Sequence, residues 1–397
     1  MSQEHYSEIL LGMKDVIIEK MSENENGVGI TISLKRKVCQ CPKCKRETNK
    51  VHDYRLRYIK HPSIAGRNVQ IGYRARRYRC EHCNKRFFET CSFIGKYQRN
   101  TYALVMEIMS KLTQRRSLKD IAKDVGTSLS VVMRCLSHMP ASKPKQLPQV
   151  LSLDEFKGNA EGERFQCILT DPQEKRIFDI LKNRRVSDLQ SYILSFNNRD
   201  EVRHVVMDMN RGYRDIARTF LPNAKIVIDR FHVVRYCTWA MDNVRRRVQK
   251  AFQAENRKFF KRTKHLLLSH RCRLNDEDKI EVDRMLGFSE DLYKAYALKE
   301  SFYDFMAAKN SNDAEKRLKL WFEAYHRLHL AEFKSCYRML RNWKPYILNA
   351  FDVSFSNGFT EGCNNATKAL KRVSFGIRNF ERFRKRILLI AGAYPNI

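Results

Sequence analysis

The chain has 397 residues, of which 43% are hydrophobic, so it can form two or three domains with sizeable cores, and general disorder is excluded. Lysine and arginine number 76 against 44 aspartate and glutamate residues, and the resulting net charge of +32 implies a polyanionic partner such as nucleic acid. No apolar run approaches the ~20 residues that span a bilayer, and the N-terminus lacks a secretory profile. We therefore expect a cytoplasmic protein without membrane contact, whose twelve cysteines are thiols or metal ligands.

The first 38 residues carry two apolar segments. Residues 5–21 are predicted to form a short helix, and residues 28–32 are predicted to form a β-strand. Neither segment contains a motif to which we assign chemistry.

Two CxxC motifs dominate the next segment. Cys41 and Cys44 form the first motif, and Cys80 and Cys83 form the second. Two residues between thiolates let one tight turn present both sulfurs to one ion, and four thiolates complete a tetrahedral site. The pattern therefore predicts a zinc ribbon that holds structural Zn²⁺. Three further donors leave the ligand set open, namely Cys39, His82 and Cys91.

The strands between the two CxxC motifs contain alternating arginine and tyrosine. Such alternation is expected to place the guanidinium groups on one face of a strand, where they would contact phosphates of DNA. A charged strand that only faces solvent is the alternative. The arginines predicted to bind DNA are Arg55, Arg57, Arg74, Arg76, Arg77 and Arg79.

Residues 101–140 are predicted to be helical, with a helix-turn-helix over residues 117–138. Ser117 is a good N-cap for the first helix, Gly126 lies at the turn, and Ser128 opens the second helix. In this motif the second helix enters the major groove of DNA, whereas an ordinary helical hairpin is the alternative. The predicted DNA contacts on the second helix are Ser128, Ser130 and Arg134.

Residues 141–148 are predicted to be a linker, and an α/β pattern follows. The predicted order from 149 to 239 is three strands, a helix, a strand, a helix and a strand, which is the order of a ribonuclease H-like domain. Asp154, Asp208 and Asp229 each end a strand-like run, as expected of an α/β active site. The alternative is a structural role, in which each aspartate only caps the N-terminus of the following segment. Glu155 should point to the opposite face of its strand from Asp154.

The remainder of the chain combines a helical region with a polar helix. Residues 240–345 lack strand alternation and are predicted to form an all-α subdomain inserted into the α/β domain, which resumes at residues 346–397. Near residue 361 a polar helix stripe contains one carboxylate, Glu361, which suits a metal ligand beside phosphate-binding groups. A solvated face on which Glu361 pairs with a lysine is the alternative. The other members of this stripe are Asn364, Asn365, Lys368 and Arg372.

Together these motifs resemble bacterial insertion-sequence transposases of the DDE class, in the ISL-three family. Beyond the cysteines and the helix-turn-helix, the resemblance rests on Leu153-Asp154-Glu155-Phe156, Val206-Met207-Asp208-Met209, Asp229-Arg230-Phe231-His232 and Glu361-Gly362-Cys363-Asn364-Asn365. It covers nearly the whole chain and implies a multidomain α/β fold. The implied domains are an N-terminal segment with a zinc ribbon (1–100), a helix-turn-helix (101–140), a ribonuclease H-like catalytic domain (149–239 and 346–397) and a helical insertion (240–345).

The resemblance also implies a site and a reaction. Asp154, Asp208 and Glu361 would be the acidic triad that binds Mg²⁺ or Mn²⁺, with two ions about 4 Å apart. Asp229 and His232 match an Asp-x-x-His element of such transposases whose role is less settled. The site would cut the ends of the element and join the freed 3′-hydroxyl to target DNA. The residues expected to support the site are Asp229, His232, Asn364, Asn365 and Lys368.

The implied partner is double-stranded DNA, both the terminal inverted repeats of the element and the target. Because two ends must be cut in concert, a homodimer on DNA is expected, associated with the bacterial nucleoid. Two other functions remain open. One is a structure-selective nuclease of the same fold, and the other is a zinc-ribbon/helix-turn-helix regulator with an inert C-terminal domain.

Overall fold

The chain divides into two structural units. The computed structural model describes residues 11–25, 27–139, 143–374 and 377–391. One unit comprises Met1–Ala141 with Ala369–Ile397, and the other comprises Ser142–Lys368. The division differs from the predicted domains, because the residues from Ala369 onward group with the N-terminal unit and not with the α/β domain. The start of the predicted N-terminal helix and the first two residues of the predicted linker, 141 and 142, lie outside the described residues.

The N-terminal unit begins with a β-sheet. Its strands are β1 (Val16–Asn24), β2 (Gly27–Leu34), β5 (Val51–Ile64), β6 (Arg67–Arg79) and β7 (Arg86–Phe88). The order is β1-β2-β6-β5, with β7 also on β6, and a separate pair is formed by β3 (Cys39–Gln40) and β4 (Glu47–Thr48). Alternate residues of the sheet, including Ile30, Ile32, Ile71 and Tyr73, are buried in its core.

Strand β1 corrects the prediction for the N-terminal segment. Residues 16–21 were assigned to a helix, but Val16–Asn24 pairs antiparallel with β2 along its length. The β-branched run Val16-Ile17-Ile18 favours a strand, and β2 supplies the partner edge. Tertiary pairing therefore overrides the helical periodicity of the segment.

Among its described residues, this unit also contains the helices α1 (Tyr102–Leu112), α2 (Leu118–Asp124), α3 (Leu129–His138) and α14 (Phe380–Ile390). Ser117 caps α2 as predicted, because its Oγ accepts the N–H of Asp120 at 3.0 Å. Gly126 turns the chain between α2 and α3 with φ +62°. The buried Arg386 of α14 donates to the carbonyl groups of Leu112, Gln114 and Arg116, at the end of α1 and in the turn that follows it.

The second unit contains a five-stranded sheet. Its strands are β8 (Val150–Phe156), β9 (Gln166–Asp171), β10 (Arg176–Leu181), β11 (His204–Met207) and β12 (Lys225–Ile228), in the order β10-β9-β8-β11-β12. Strands β8, β11 and β12 are parallel, while β9 and β10 are antiparallel to their neighbours. The helices α4 (Val186–Leu194) and α5 (Arg211–Phe220) connect β10 to β11 and β11 to β12. The elements therefore follow one another in the predicted order.

Helices make up most of the rest of this unit. They are α6 (Arg230–Val248), α7 (Ala254–Arg262), α8 (Lys264–Leu268), α9 (Asp276–Leu286), α10 (Glu290–Met306), α11 (Ser311–Leu328), α12 (Lys334–Leu348) and α13 (Gly358–Val373). Large side chains such as Phe302, Phe305 and Trp321 fill the core between them. Across the described ranges, no helix is both long enough and apolar enough to cross a membrane.

Candidate functional site

The four predicted zinc ligands lie together in the N-terminal unit. Cys41 Sγ is 3.6 Å from Cys83 Sγ, and Cys44 Sγ is 3.5 Å from Cys80 Sγ. All four sulfur atoms lie within 4.8 Å of one another. Zn–S bonds of about 2.3 Å require sulfur–sulfur distances of about 3.8 Å in a tetrahedron, so the cluster fits one zinc ion. The alternative donors Cys39, His82 and Cys91 are outside the cluster.

The backbone of the two CxxC turns, which we call knuckles, favours the thiolate form of the cysteines in this cluster. The N–H of Cys44 makes the largest contribution and lowers the pKa of Cys41 to about 6. In the same way, the N–H of Cys83 lowers the pKa of Cys80. Because the thiolate is the form that binds metal, these backbone N–H groups prepare the site for Zn²⁺.

Alternation places Arg55 and Arg57 on one face of β5, but the arginines of β5 and β6 do not all share one face of the long hairpin that these two strands form. Arg57 is paired with Tyr73 across β5 and β6, while Arg74 is paired with Leu56. Residues directly opposite each other lie on the same face of a sheet, so Arg57 and Arg74 lie on opposite faces. The arginine–tyrosine alternation is out of phase between the two strands, and it spreads the positive charge over both faces.

One of these arginines, Arg76, is buried and cannot contact DNA in this conformation. Its guanidinium lies 3.3 Å from the carboxylate of Glu89, and the two side chains are 9% and 5% exposed. Glu89 also accepts hydrogen bonds from the Tyr73 hydroxyl and the Arg76 N–H, both at 2.9 Å. Arg76 is therefore part of a buried ion pair that supports the sheet, which corrects its prediction as a DNA ligand. Arg55 and Arg79 remain exposed.

The helix-turn-helix residues predicted to contact DNA are exposed. Ser128 lies at the N-cap of α3, with its hydroxyl 2.8 Å from that of Ser130. Ser130 and Arg134 lie one turn apart on the exposed face of α3, whereas Val132 and Leu136 are buried. The helix thus directs polar side chains outward and anchors itself through its apolar face.

Three predicted aspartates form a row across the sheet of the second unit. Leu153 is paired with Met207, and Met207 is paired with Ile228, along parallel strands. The next residues, Asp154, Asp208 and Asp229, are therefore level with one another on strands about 4.8 Å apart. We call these three residues the aspartate row. His232 extends the row, with its Nε2 3.9 Å from Asp229 Oδ2.

Burial and mutual repulsion disfavour the charged forms of these carboxyl groups. Burial, with neighbouring Asp208 and Asp229 adding to it, raises the pKa of Asp154 to about 6. Burial also raises the pKa of Asp208, and the nearby Asp229 raises it further. The pKa of Asp229 is raised by burial and, in addition, by Glu361. Within the described ranges, no lysine or arginine forms an ion pair with the row. A bound cation would relieve this repulsion, and oxygen ligands suit Mg²⁺ or Mn²⁺.

Helix α13 is fixed to the sheet by a chain of buried hydrogen bonds. The Thr170 hydroxyl donates to Thr360 at 2.7 Å, Thr360 donates to Ser152 at 2.9 Å, and Ser152 donates to Asn357 Oδ1 at 2.6 Å. The carbonyl of Asn357 in turn accepts the N–H of Glu361 at 2.8 Å. This network places Glu361, which is exposed, in the first turn of α13 beside Asp229.

The predicted polar stripe of α13 is divided between two environments. Asn364 is buried and donates from Nδ2 to Asp154 Oδ2 at 2.8 Å, while Asn365 and Lys368 are exposed. Asp154 Oδ1 accepts the N–H of Glu155 at 2.7 Å, so both oxygens of Asp154 are held. The Oδ1 of Asn364 is buried with no hydrogen-bond partner among the described residues, which leaves an oxygen free for a cation or its water.

The donors of the aspartate row are more widely spaced than the cysteines. Within the described residues, the four cysteines are the only group of three or more His, Cys, Asp or Glu donors that lie within 4.8 Å of one another. The capping alternative holds at one position, because Asp229 Oδ1 accepts the N–H of Phe231 and caps α6. Helix α5 is capped by Asn210 and not by Asp208.

Comparisons with known proteins identify the family and match the cysteine segment. A family model described as transposase, of the DDE class and the ISL3 (ISL-three) family, matches residues 151–387. A model for the zinc-finger of transposase IS204/IS1001/IS1096/IS1165 matches residues 37–83, which include all four cysteines. The chain belongs to the ISL3 family of transposases.

Individual relatives agree with this family. The transposase for insertion sequence element IS1001 of Bordetella parapertussis is 25% identical over 402 residues, covering 98% of this chain and 97% of that protein. The transposase for insertion sequence element IS1557 of Mycobacterium tuberculosis H37Rv is 23% identical over 221 residues, half of each chain. The resemblance drawn from the sequence motifs is therefore confirmed, and the zinc-finger match with the four-cysteine cluster supports structural Zn²⁺ in this transposase.

Sequence reasoning missed the polar groups that support the transposase site. Ser152 and Thr170 lie within apolar strands and Thr360 lies in the polar first turn of α13, and their hydrogen bonds join segments about 200 residues apart. Glu155 was expected on the opposite face from Asp154, and there it accepts hydrogen bonds from Tyr213 and Arg184. A hydroxyl inside a buried strand was the one available signal, because such a group needs a partner.

Proposed function

We propose that this transposase cuts the ends of its insertion sequence and joins the freed 3′-hydroxyl to target DNA. The observation that carries the proposal is the aspartate row, to which α13 adds Glu361. Asp154, Asp208 and Glu361 would hold Mg²⁺ or Mn²⁺, and Asp229 and His232 would complete the site. The bound cations would activate the attacking oxygen and stabilise the charge that develops at phosphorus.

The residues around the row orient its carboxylates. Asn364 and the Glu155 N–H hold the two oxygens of Asp154, and the hydroxyl network holds the first turn of α13. Fixed carboxylates avoid reorganisation when a cation and DNA bind, which is how supporting residues tune a metal site. Lys368, exposed on α13 two turns after Glu361, would contact a DNA phosphate.

A ribonuclease H-like catalytic domain is the fold we propose for the second unit. The strand order β10-β9-β8-β11-β12 and the parallel strands that bear the row support it. The helices between residues 240 and 345 would then be an insertion that precedes the helix with Glu361. The residues after Ala369 group with the N-terminal unit, so the proposed domain ends earlier than the predicted residue 397.

We propose that the zinc ribbon and the helix-turn-helix recognise the terminal inverted repeats. The exposed Ser128, Ser130 and Arg134 on α3 would contact DNA, as would exposed arginines of the long hairpin such as Arg55 and Arg79. The net charge of +32 supports binding to a long phosphate backbone. A homodimer would bring two ends together, in the cytoplasm at the nucleoid.

An excision assay in cells tests the proposal. The gene and its flanking DNA are placed on a plasmid, and junction products are counted for wild type, Asp208→Asn, Glu361→Gln and Asp229→Asn. We expect junctions from wild type and none from Asp208→Asn or Glu361→Gln. The matched control is Asp215→Asn, an exposed carboxylate on α5 that should leave excision unchanged.

Other outcomes would change the assignment. Excision by Asp208→Asn but not by Asp229→Asn would transfer the second metal ligand to β12. DNA cutting without junctions would favour a structure-selective nuclease, and folded wild-type protein that binds the ends without cutting would favour a regulator.

A further inference from the structure

We propose that a groove between the long hairpin and α3 binds duplex DNA, and that Tyr97 is held in a strained conformation to contact it. The inference rests on the proposed recognition of the terminal repeats and names a binding surface within it. The groove has a volume of about 930 Å³ and lies entirely within the N-terminal unit. It is formed by β5, the segment 97–100 and the exposed face of α3.

The charge of the groove suits a polyanion. None of its lining residues, all of which the structure describes, is an aspartate or glutamate. Its basic side chains are Lys60, Arg99, Arg134 and His138. A groove lined with cations and without carboxylates attracts a phosphate backbone. An acidic protein surface would be attracted in the same way. We favour DNA because α3 is the second helix of the helix-turn-helix.

The helix side of the groove carries one aligned set of side chains. Ser130, Arg134 and His138 are spaced by four residues, are exposed and line the groove. This spacing places them along one face of α3 over about 12 Å. The apolar face of α3 is buried, so these side chains are available to DNA.

The sheet side is fastened to the helix-turn-helix. Lys60 Nζ donates to the carbonyl of Gly126, at the turn between α2 and α3, at 3.1 Å. A Cβ at Gly126 would collide with the side chain of Asn68 on β6, so the turn lies directly against the sheet. The hairpin and α3 therefore hold the groove open as one surface.

Tyr97 stands at the edge of this groove in an unfavourable conformation. It is the second central residue of a turn in which the N–H of Gln98 donates to the carbonyl of Gly95 at 3.1 Å. Its φ of +63° lies in the left-handed region, where such a turn normally has glycine or asparagine. Its side chain is nonetheless 86% exposed. No burial within the N-terminal unit compensates for placing an aromatic ring here.

The segment around Tyr97 is tied down on both sides. The Arg57 guanidinium donates to the carbonyl of Gln98 at 3.1 Å, and the Lys60 N–H donates to the carbonyl of Arg99 at 2.9 Å. Strained residues that surrounding contacts enforce are found where the strain serves binding or catalysis. The Lys96 ammonium lies 5.0 Å from the Tyr97 ring centroid, which places a cation beside the aromatic surface.

These features define the contact that Tyr97 makes. Its ring would pack against the sugar and base edges of the duplex beside α3, and Lys96 would contact a neighbouring phosphate. Because contacts with sugars carry no sequence information, Tyr97 would add affinity and little sequence preference.

The test separates binding from folding. Full-length, zinc-loaded wild type, Tyr97→Asn and Tyr97→Phe are titrated without divalent cations against a labelled 30-base-pair duplex. The duplex has the terminal sequence that flanks the gene, and a scrambled duplex serves as reference. Thermal melting is recorded for each protein. The control is Tyr293→Ala, which removes a tyrosine of α10 that is 62% exposed.

We expect Tyr97→Asn to bind both duplexes about tenfold more weakly, because the apolar surface of the ring is no longer buried against the duplex. Because asparagine tolerates a positive φ, its melting temperature should increase by about 2 °C or more. Tyr97→Phe and Tyr293→Ala should bind like wild type. Unchanged affinity in Tyr97→Asn, or weaker binding together with a lower melting temperature, would overturn the inference. If wild type does not distinguish the two duplexes, the proposed end recognition itself fails.

Discussion

The zinc cluster and the aspartate row both gather anionic donors from distant parts of the chain, but they are supported differently. The first knuckle lies between β3 and β4, which have two residues each, and the second lies between β6 and β7, which has three residues. The two knuckles meet at the four sulfur atoms, which lie within 4.8 Å of one another. The aspartates follow the buried strands β8, β11 and β12, which pair residue by residue. Zinc is therefore part of the fold of the ribbon, whereas the sheet places the aspartates before any cation binds.

The largest effect expected from this difference follows loss of a cysteine. Cys41→Ser removes one of four ligands, and structural zinc contributes about 10 kcal/mol or more to folding of such sites. We expect the ribbon to lose zinc and to unfold. Affinity for the terminal duplex should decrease at least about tenfold, while the second unit should keep its own melting transition. Zinc content, calorimetry and a duplex titration measure these effects.

Cys39→Ser is the matched control for this variant, because Cys39 lies close in sequence but outside the cluster. It should retain zinc and affinity. A Cys41→Ser protein that keeps an intact ribbon would show that the hairpin folds without metal, and the contrast between the two sites would disappear.

The second largest effect is expected at the buried ion pair of the hairpin. Arg76→Ala leaves the Glu89 carboxylate buried without its partner, and breaking a buried pair in this way costs about 3–5 kcal/mol. The measurement is the free energy of unfolding of the N-terminal unit in denaturant. Arg55→Ala, at an exposed position of β5, should change it by less than about 0.5 kcal/mol. Equal stability of the two variants would show that the ion pair does not stabilise the sheet, and Arg76 would again be a candidate for DNA binding.

A smaller effect is expected from the hydroxyl network of α13. Thr360→Val keeps the shape of the side chain but removes the acceptor of Thr170 and the donor to Ser152, at a cost of about 1–3 kcal/mol. Displacement of Glu361 should also decrease end cutting by about tenfold. Thr238→Val on α6, whose hydroxyl bonds only to its own helix, is the control. Normal cutting by Thr360→Val would mean that α13 is positioned by packing alone.

The smallest effect depends on pH, and here the substitution is expected to increase stability and not to decrease it. The pKa of Asp154 is about 6 in the folded protein against 3.8 for an ordinary aspartate, so the folded state binds more protons between these values. The carboxyl group therefore favours folding below about pH 4, and this advantage is lost as the pH rises through about 6. At pH 7 and without divalent cations, Asp154→Asn should be more stable than wild type by about 2 kcal/mol. A stability difference that does not change between pH 4 and pH 7 would contradict this explanation.

Several features of the sites were predictable because local sequence determines them. The CxxC spacing fixes two sulfurs per turn, so the zinc ligands could be named from Cys41, Cys44, Cys80 and Cys83 alone. The aspartate row was predictable because each β-branched run ends in its aspartate, and parallel strands align their carboxyl ends. Ser117 and Gly126 fixed the limits of α2 for the same local reason.

The features that were missed depend on contacts distant in sequence. Arg76 was predicted to bind DNA because its neighbours are arginines. In the structure it forms a buried ion pair with Glu89, the residue that follows β7. Asn364 was expected to support the site, but helical spacing does not reveal that it is buried and donates to Asp154. Val16–Asn24 was predicted to be partly helical, because the partner strand β2 was not considered.

Cleavage of a labelled terminal duplex by purified protein tests the central claim most directly. Wild type and Asp154→Asn, both loaded with zinc, are compared with Mg²⁺ and without added divalent cation. We predict cutting by wild type with Mg²⁺ only. Asp154→Asn should cut about 10²–10³-fold more slowly although its fold is intact and more stable, because loss of one electrostatic group has a cost of this size. Cutting by Asp154→Asn at the wild-type rate would contradict the assignment of the aspartate row as the active site.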